Sequence, residues 1–163
     1  MKVVAFCGSG RKESNTKLLL ETVLKPLANA GADTELIELA GNEIRGCMAC
    51  YMCFMQKDST CVLKKDIVNS CIAKMAAADA ILLGSPAYFG DVPSEMKALI
   101  DRSGMVSQAN GGIYRRKLGA AVVAVARAGG IHAFDTMNHF FLANQMIVVG
   151  SNSWNIGIGP EKG

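Results

Sequence analysis

The sequence predicts an α/β fold, a doubly wound parallel sheet of five strands in the order 2-1-3-4-5, with a cysteine-rich insertion after the second strand. Two observations carry this. Short apolar runs alternate with amphipathic stretches from end to end, the pattern of successive βαβ units. The runs are also nearly continuous rather than alternating, as strands buried on both faces require.

The expected strands are Val3–Cys7, Glu35–Leu39, Ala80–Gly84, Leu118–Ala126 and Met146–Gly150. Between the first two, Leu20, Val23, Leu24 and Leu27 recur at i, i+3, i+4 and i+7, and Val68, Cys71, Ile72 and Met75 repeat the spacing before the third. A third helix is expected from near Pro93, whose fixed φ suits a first turn, burying Met96, Leu99 and Ile100. A fourth should span about Ile131 to Asn144. Right-handed crossovers between such units give the 2-1-3-4-5 order. After the fifth run, Ser151–Gly163 is rich in Gly and Asn and shows no helical period. A sheet of this kind normally carries a final helix over its first and fifth strands. The expectation is therefore a shortened chain or a partner subunit over that surface. The whole reads as one domain, 1–163, with an insertion at about Asn42 to Lys65.

A length of 163 residues, half of them hydrophobic, suits one well-packed soluble domain. A net charge of +3 argues neither for nucleic acid nor for an anionic membrane, and no basic cluster is interleaved with aromatics. No apolar stretch approaches the roughly 18 residues of a membrane span. Met1-Lys2 leads into an apolar run that meets a glycine loop, not a leader-peptide cleavage site. The expected location is cytoplasmic and reducing, where six cysteines do not read as three disulfides.

The first run ends in Cys7-Gly8-Ser9-Gly10-Arg11-Lys12-Glu13-Ser14-Asn15-Thr16, and a helix follows at once. Successive amides there, with hydroxyls at Ser9, Ser14 and Thr16, would form an anion cradle at a helix N-terminus. A Walker A loop needs a glycine where Glu13 stands, and so does a dinucleotide fingerprint. A Ser/Thr/Asn-lined loop without it suits a terminal phosphate monoester, as in FMN, better than a pyrophosphate. Capping of the helix by Ser14 or Asn15 accounts for the same residues without a ligand, and both readings stand.

Two more loops fall at carboxyl ends of strands, where this architecture holds ligands. In Ser85-Pro86-Ala87-Tyr88-Phe89-Gly90, Pro and Gly punctuate a bend that sets Tyr88 and Phe89 to border a flat ring. In Ala126-Arg127-Ala128-Gly129-Gly130, small residues let amides approach a heterocycle. The plain alternatives are core packing for at least one of the aromatics and a solvated loop charge for Arg127.

The segment Cys47-Met48-Ala49-Cys50-Tyr51-Met52-Cys53, continued to Cys61, spells C-x2-C-x2-C-x7-C. Three thiols this close pair poorly as disulfides. They can converge on one face of an iron–sulfur cubane with a fourth ligand from nearby, and ferredoxins space their first three ligands in this way. Structural zinc usually draws two separated C-x2-C pairs; zinc and free redox-active thiols remain the alternatives. Met48, Tyr51, Met52, Phe54 and Met55 would shield a cluster or form a subunit contact. Cys7 and Cys71 read as core residues. His132 and His139 lie on one predicted helix with no evident carboxylate partner and are assigned no role.

Taken together these segments resemble the iron–sulfur flavoprotein family, a branch of the flavodoxin-like NAD(P)H-dependent FMN reductases. The resemblance covers Gly8 to Lys12, the cysteine motif, Ser85 to Pro93, Met96 to Arg102 and Met146 to Gly150. It implies a [4Fe–4S] cluster on Cys47, Cys50, Cys53 and Cys61, near an FMN, in a homodimer or homotetramer. It implies Ser9, Arg11, Ser14, Asn15 and Thr16 at the FMN phosphate. Pro86, Ala87, Tyr88, Phe89 and Gly90, with Arg127, Ala128, Gly129 and Gly130, would approach the ring. Two departures are visible: the gap to Cys61 is at the long end of the family's range, and Gly10 stands where a proline is common.

The expected function is electron transfer between the cluster and FMN, from a donor such as a ferredoxin or NAD(P)H to a small-molecule acceptor. The cofactors would carry the chemistry, so no acid–base triad is required. A cluster-free NAD(P)H-dependent FMN or quinone reductase is the second reading, and a non-enzymatic redox or metal sensor the third.

Overall fold

The sheet grows outward from its first strand. β1 (Lys2–Cys7) pairs in parallel with β2 (Asp33–Glu38) on one side and β3 (Ala80–Pro86) on the other, in a computed structural model that describes residues 1–159. Residues 160–163, the end of the expected domain and of the run Ser151–Gly163, lie outside the described residues. β3 pairs with β4 (Leu118–Val125), and β4 with β5 (Ile147–Val148), again in parallel. The order is 2-1-3-4-5, flavodoxin-like, as the sequence predicts.

Successive residues of β1 feed opposite faces, which is why its run is continuously apolar. Val3, Ala5 and Cys7 join Leu20 and Leu24 of α1 (Asn15–Asn29) on one face. Val4 and Phe6 join the other, built from α3 (Val68–Ala77), α4 (Ser94–Ala109) and α5 (Gly130–Ala143). Val68, Cys71, Ile72 and Met75 form the buried stripe of α3, and Met96, Leu99 and Ile100 that of α4, the residues that the helical spacing singles out. α1 can lie close to the sheet because Gly84 has no side chain: a Cβ there would sit 2.6 Å from Leu20 Cδ1.

Two elements depart from expectation. The fifth strand does not run from Met146 to Gly150; only Ile147 and Val148 pair, opposite Leu118 and Gly119. Its upper half is supplied by β6 (Ile156–Ile158), which pairs with Val123 to Val125 from within the tail that shows no helical period. Three residues with a central glycine give no strand period, so pairing with a ready edge decides the matter. The insertion also holds a short helix, α2 (Met52–Gln56), inside the cysteine motif. Among the described residues no helix follows α5, and α1 is the helix packed on its face of the sheet.

The register sets the site. Cys7 lies opposite both Glu38 and Gly84, and Pro86 opposite Ala124. The phosphate loop, the start of the cysteine insertion and the two ring loops therefore all leave the same carboxyl edge.

Candidate functional site

The phosphate loop is fixed at its start by the Gly8 amide, which donates to Gly84 O at 2.8 Å. Ser9 is buried and its Oγ accepts from the Arg11 amide at 3.2 Å. Ser14 takes the N-cap of α1, its Oγ accepting from the Lys17 amide at 3.2 Å, so the capping role is real. Thr16 is buried in the first turn. Burial raises the pKa of the Cys7 thiol, which lies 4.0 Å from Ser14 Oγ, so it stays protonated and inert beneath the loop.

Eight of the expected residues line one cavity of about 190 Å³: Ser9, Arg11, Ser14, Asn15 and Thr16 from the phosphate loop, and Pro86, Ala87 and Tyr88 from the bend after β3. Glu13, Ala124, Val125, Ala126 and Gly159 complete the wall. A Cβ on Gly10 would stand 3.9 Å from the Tyr88 hydroxyl, so the two loops face each other closely. An anion at the bottom of this cavity would meet the N-terminus of α1 and the Arg11 side chain, which suits a phosphate monoester.

The remaining ring-loop residues sit apart from that cavity. Tyr88 and Asp91 exchange backbone hydrogen bonds at 2.8 and 3.3 Å, and the turn they close throws Phe89 into solvent at a φ of +51°. Neither Tyr88 nor Phe89 is a core residue, contrary to the packing alternative, because the turn sends Phe89 into solvent and lays Tyr88 on the wall of the cavity beside Gly10. Arg127, Ala128, Gly129 and Gly130 line a neighbouring cavity of about 640 Å³ with Ile131, His132, Asp135, Trp154, Ile156 and Ile158. The loops after β3 and β4 meet at Gly129, where φ is +85° and a Cβ would lie 2.9 Å from Gly90 Cα. His132 does have a carboxylate neighbour, its Nε2 lying 3.4 Å from Asp91 Oδ2. Asp91 also accepts from Thr136 Oγ1 at 2.8 Å and so ties the bend to α5.

The cysteine motif forms a separate pocket. Cys47, Cys50, Cys53 and Cys61 all line one cavity of about 20 Å³, walled mainly by apolar groups including Met48, Leu63, Met105 and Val106. None is in a disulfide. Ala49 and Tyr51, the residues that turn the chain between successive thiols, hold left-handed φ values of 51° and 55°. Such angles cost a non-glycine residue on the order of 1–3 kcal/mol, so surrounding structure must hold the loop in shape. Among the described residues no three His, Cys, Asp or Glu side chains converge closely enough to hold a metal ion. Burial, followed by the neighbouring Cys61 and Cys47, raises the Cys53 pKa, so ligation would have to displace its proton.

Cys61 is the most firmly anchored of the four. Its amide donates to Asn69 Oδ1 at 2.7 Å, and Asn69 Nδ2 donates back to Cys61 O at 2.8 Å and to Leu63 O at 3.2 Å. Its sulfur accepts from Arg102 Nε at 3.4 Å. Arg102, only 1% exposed, also donates to Arg45 O, Leu63 O and the Asp66 carboxylate. Burial alone would raise the Asp66 pKa. The hydrogen bonds from Arg102 and the Val68 amide, with the guanidinium charge, outweigh it and hold Asp66 below the usual carboxylate range.

A family model, NADPH-dependent FMN reductase, matches residues 1–161. An iron–sulfur flavoprotein of Methanocaldococcus jannaschii is 42% identical over 154 residues, 93% of this chain and 77% of the relative. The chain belongs to the iron–sulfur flavoproteins of the FMN reductase family. It is a flavin-dependent oxidoreductase with an electron-transfer role. Two solved structures extend the fold comparison. RosB with a bound formyl-riboflavin phosphate intermediate superposes with a TM-score of 0.80 at 15% identity, over 98% of this chain and 66% of its own. An archaeal flavodoxin gives 0.64 at 18% identity, over 99% and 86%.

Two of this flavoprotein's site residues escape sequence reasoning. Arg102 ends a segment that the resemblance covers but draws no role from the sequence; only the apolar residues on both its sides, Leu99 and Val106, mark its turn of α4 as buried. Trp154, whose ring packs 6.0 Å from Phe134, comes from the irregular tail and carries no periodic signal. Cys7 and Cys71 are core residues, as expected. Among the described residues no helix is long and apolar enough to cross a membrane.

Proposed function

We propose that this flavoprotein binds FMN in the cavity between the phosphate loop and the bend after β3, and a [4Fe–4S] cluster on Cys47, Cys50, Cys53 and Cys61. In this reading the protein moves electrons from a low-potential donor such as a ferredoxin, or from NAD(P)H, to a small-molecule acceptor. The observation that carries it is that four thiols separated by up to fourteen residues line a single, mainly apolar pocket against α4, in a chain whose phosphate loop lines a second cavity. When bound, the cluster would supply one-electron chemistry and FMN would exchange one or two electrons.

The chain's own residues supply the donor types that these groups take. Ser9, Ser14 and Thr16 supply hydroxyls, and Arg11 a cation, around the N-terminus of α1, where a phosphate monoester would be held. Pro86, Ala87 and Tyr88 border the same cavity, and Arg127 to Gly130 the adjoining one; the two loops touch at Gly90 and Gly129, and a planar ring would lie along their shared rim. Phe89, fully exposed on the turn, would have to fold back over that ring to cover it. At the cysteines, the absence of a carboxylate or histidine in the lining favours a soft, thiophilic group. Apolar side chains around the thiols would exclude water, and Met48, Tyr51, Phe54 and Met55 remain exposed for a second subunit of a homodimer or homotetramer.

Cys50→Ser tests the assignment. Cys50 is exposed and away from the cavity lined by Ser9 and Tyr88, so the variant should keep FMN and lose the broad absorbance near 400 nm (about where iron–sulfur charge transfer absorbs). An unchanged spectrum would remove the cluster from the proposal. Flavin reduced rapidly by NADPH, in a wild type that carries no iron, would support the cluster-free reductase reading.

A further inference from the structure

Arg102 occupies a place that packing alone does not explain. It lies on α4, away from the insertion in sequence, yet its guanidinium is inserted between the two ends of that segment. Nη1 donates to Arg45 O at 3.0 Å and Nη2 to Leu63 O at 2.8 Å, while Nε points at Cys61 Sγ, 3.4 Å away. Asp66 Oδ2 sits against Nη1 at 2.5 Å, on a different nitrogen from the one facing the sulfur. The pair is therefore an oriented dipole with its positive end toward the thiol. Arg102 and Asp66 are 0% and 7% exposed at their side chains, so water does little to screen it.

Resting on the cluster reading above, we propose that Arg102 sets the reduction potential of a cluster held at Cys47, Cys50, Cys53 and Cys61, through its Nε–H donated to the Cys61 sulfur. Reduction adds one electron, taken from a one-electron donor, and no bond forms or breaks. The added negative charge resides partly on the ligand sulfurs. A buried cation and an N–H donor at one of those sulfurs stabilise the reduced form over the oxidised one. Asp66 opposes this from the far side of the guanidinium and holds it in place. Arg102 is thus a positioning and tuning residue, and Asp66 a moderator of the opposite sign.

That opposition separates tuning from simple clasping of the loop. The experiment is an anaerobic, dithionite-poised redox titration of the reconstituted full chain, followed by EPR of the reduced cluster, on wild type, Arg102→Gln and Asp66→Asn. Arg102→Gln should make reduction about tenfold less favourable, a fall of about 59 mV for a one-electron couple. Asp66→Asn, which leaves the guanidinium uncompensated, should move the potential upward. Equal potentials in all three, or shifts in the same direction, overturn the proposal. If Arg102→Gln does not hold a cluster, Asp66→Asn decides alone: a rise supports tuning and no change refutes it. A wild type that binds no iron or sulfide after reconstitution overturns the cluster reading and this inference with it. A normal wild-type cluster with unmoved variants overturns this inference only.

Discussion

Arg102→Met should be among the most damaging single substitutions in the chain. The side chain is buried, and its removal strands the Asp66 carboxylate, itself almost fully buried, together with the Arg45 and Leu63 carbonyls. Breaking a buried ion pair from one side typically costs about 3–5 kcal/mol, because the partner charge is left uncompensated. That is a large part of the roughly 5–15 kcal/mol that stabilises an ordinary domain. Asp66→Asn alone should also destabilise, by leaving the guanidinium without its counter-charge, although the Val68 amide, now bonded to Asp66 Oδ1 at 3.1 Å, can still bond an Asn oxygen. The double variant removes both charges and should cost less than the sum of the singles by about 2 kcal/mol or more. Anaerobic urea unfolding followed by far-ultraviolet circular dichroism gives all four corners of the cycle. Additive costs, or an Arg102→Met penalty below about 1 kcal/mol, would refute the view that this ion pair closes the insertion.

Three further outcomes follow from the geometry. Gly84→Ala drives a Cβ to within 2.6 Å of Leu20 and should lower stability by about 1–3 kcal/mol, with Leu20→Ala in the same chain relieving part of the loss; thermal melts of the three variants check it. Gly129→Ala combines a left-handed φ of +85° with a contact to Gly90 at 2.9 Å. It should cost about 1–2 kcal/mol in backbone strain and weaken FMN binding measured by fluorescence quenching, whereas unchanged affinity would separate this contact from the flavin site. Cys71 gives the pH dependence, since burial raises its thiol from an ordinary 9.0 to about 11. Below pH 9 both folded and unfolded thiols are neutral and its contribution is complete; as pH climbs toward 11 the unfolded thiol ionises first, and about 3 kcal/mol drains away. Cys71→Ala should flatten that alkaline limb of the melting-temperature profile, and an identical slope in the variant would contradict the assignment.

The sheet was legible because parallel strands buried on both faces leave continuous apolar runs, as β1 shows with Val3 to Cys7 entering two different cores. The stripes of α3 and α4 were legible for the same reason, each facing one apolar surface. Pairing partners that lie far apart in sequence were not. Ile156-Gly157-Ile158 becomes a strand only because β4 extends past Ile147 and Val148 and offers Val123 to Val125 an open edge. At the site, chemistry announced itself where residue types are unusual for their spacing, as in Cys47 to Cys53 and in the hydroxyl-rich loop from Ser9 to Thr16. Arg102 and the His132–Asp91 pair did not, since a lone charged residue on a helix acquires a partner only through the fold. Ser14 is both helix cap and cavity wall, so its two readings were never exclusive.

The measurement that tests the central claim most directly is an anaerobic absorption spectrum of the purified protein with iron and acid-labile sulfide assays. The account predicts flavin bands over a broad shoulder near 400 nm (about where iron–sulfur charge transfer absorbs), with about four irons and four sulfides per chain. Flavin bands without iron, persisting after anaerobic reconstitution, would contradict the cluster and leave a plain flavin reductase whose cysteine pocket serves another purpose.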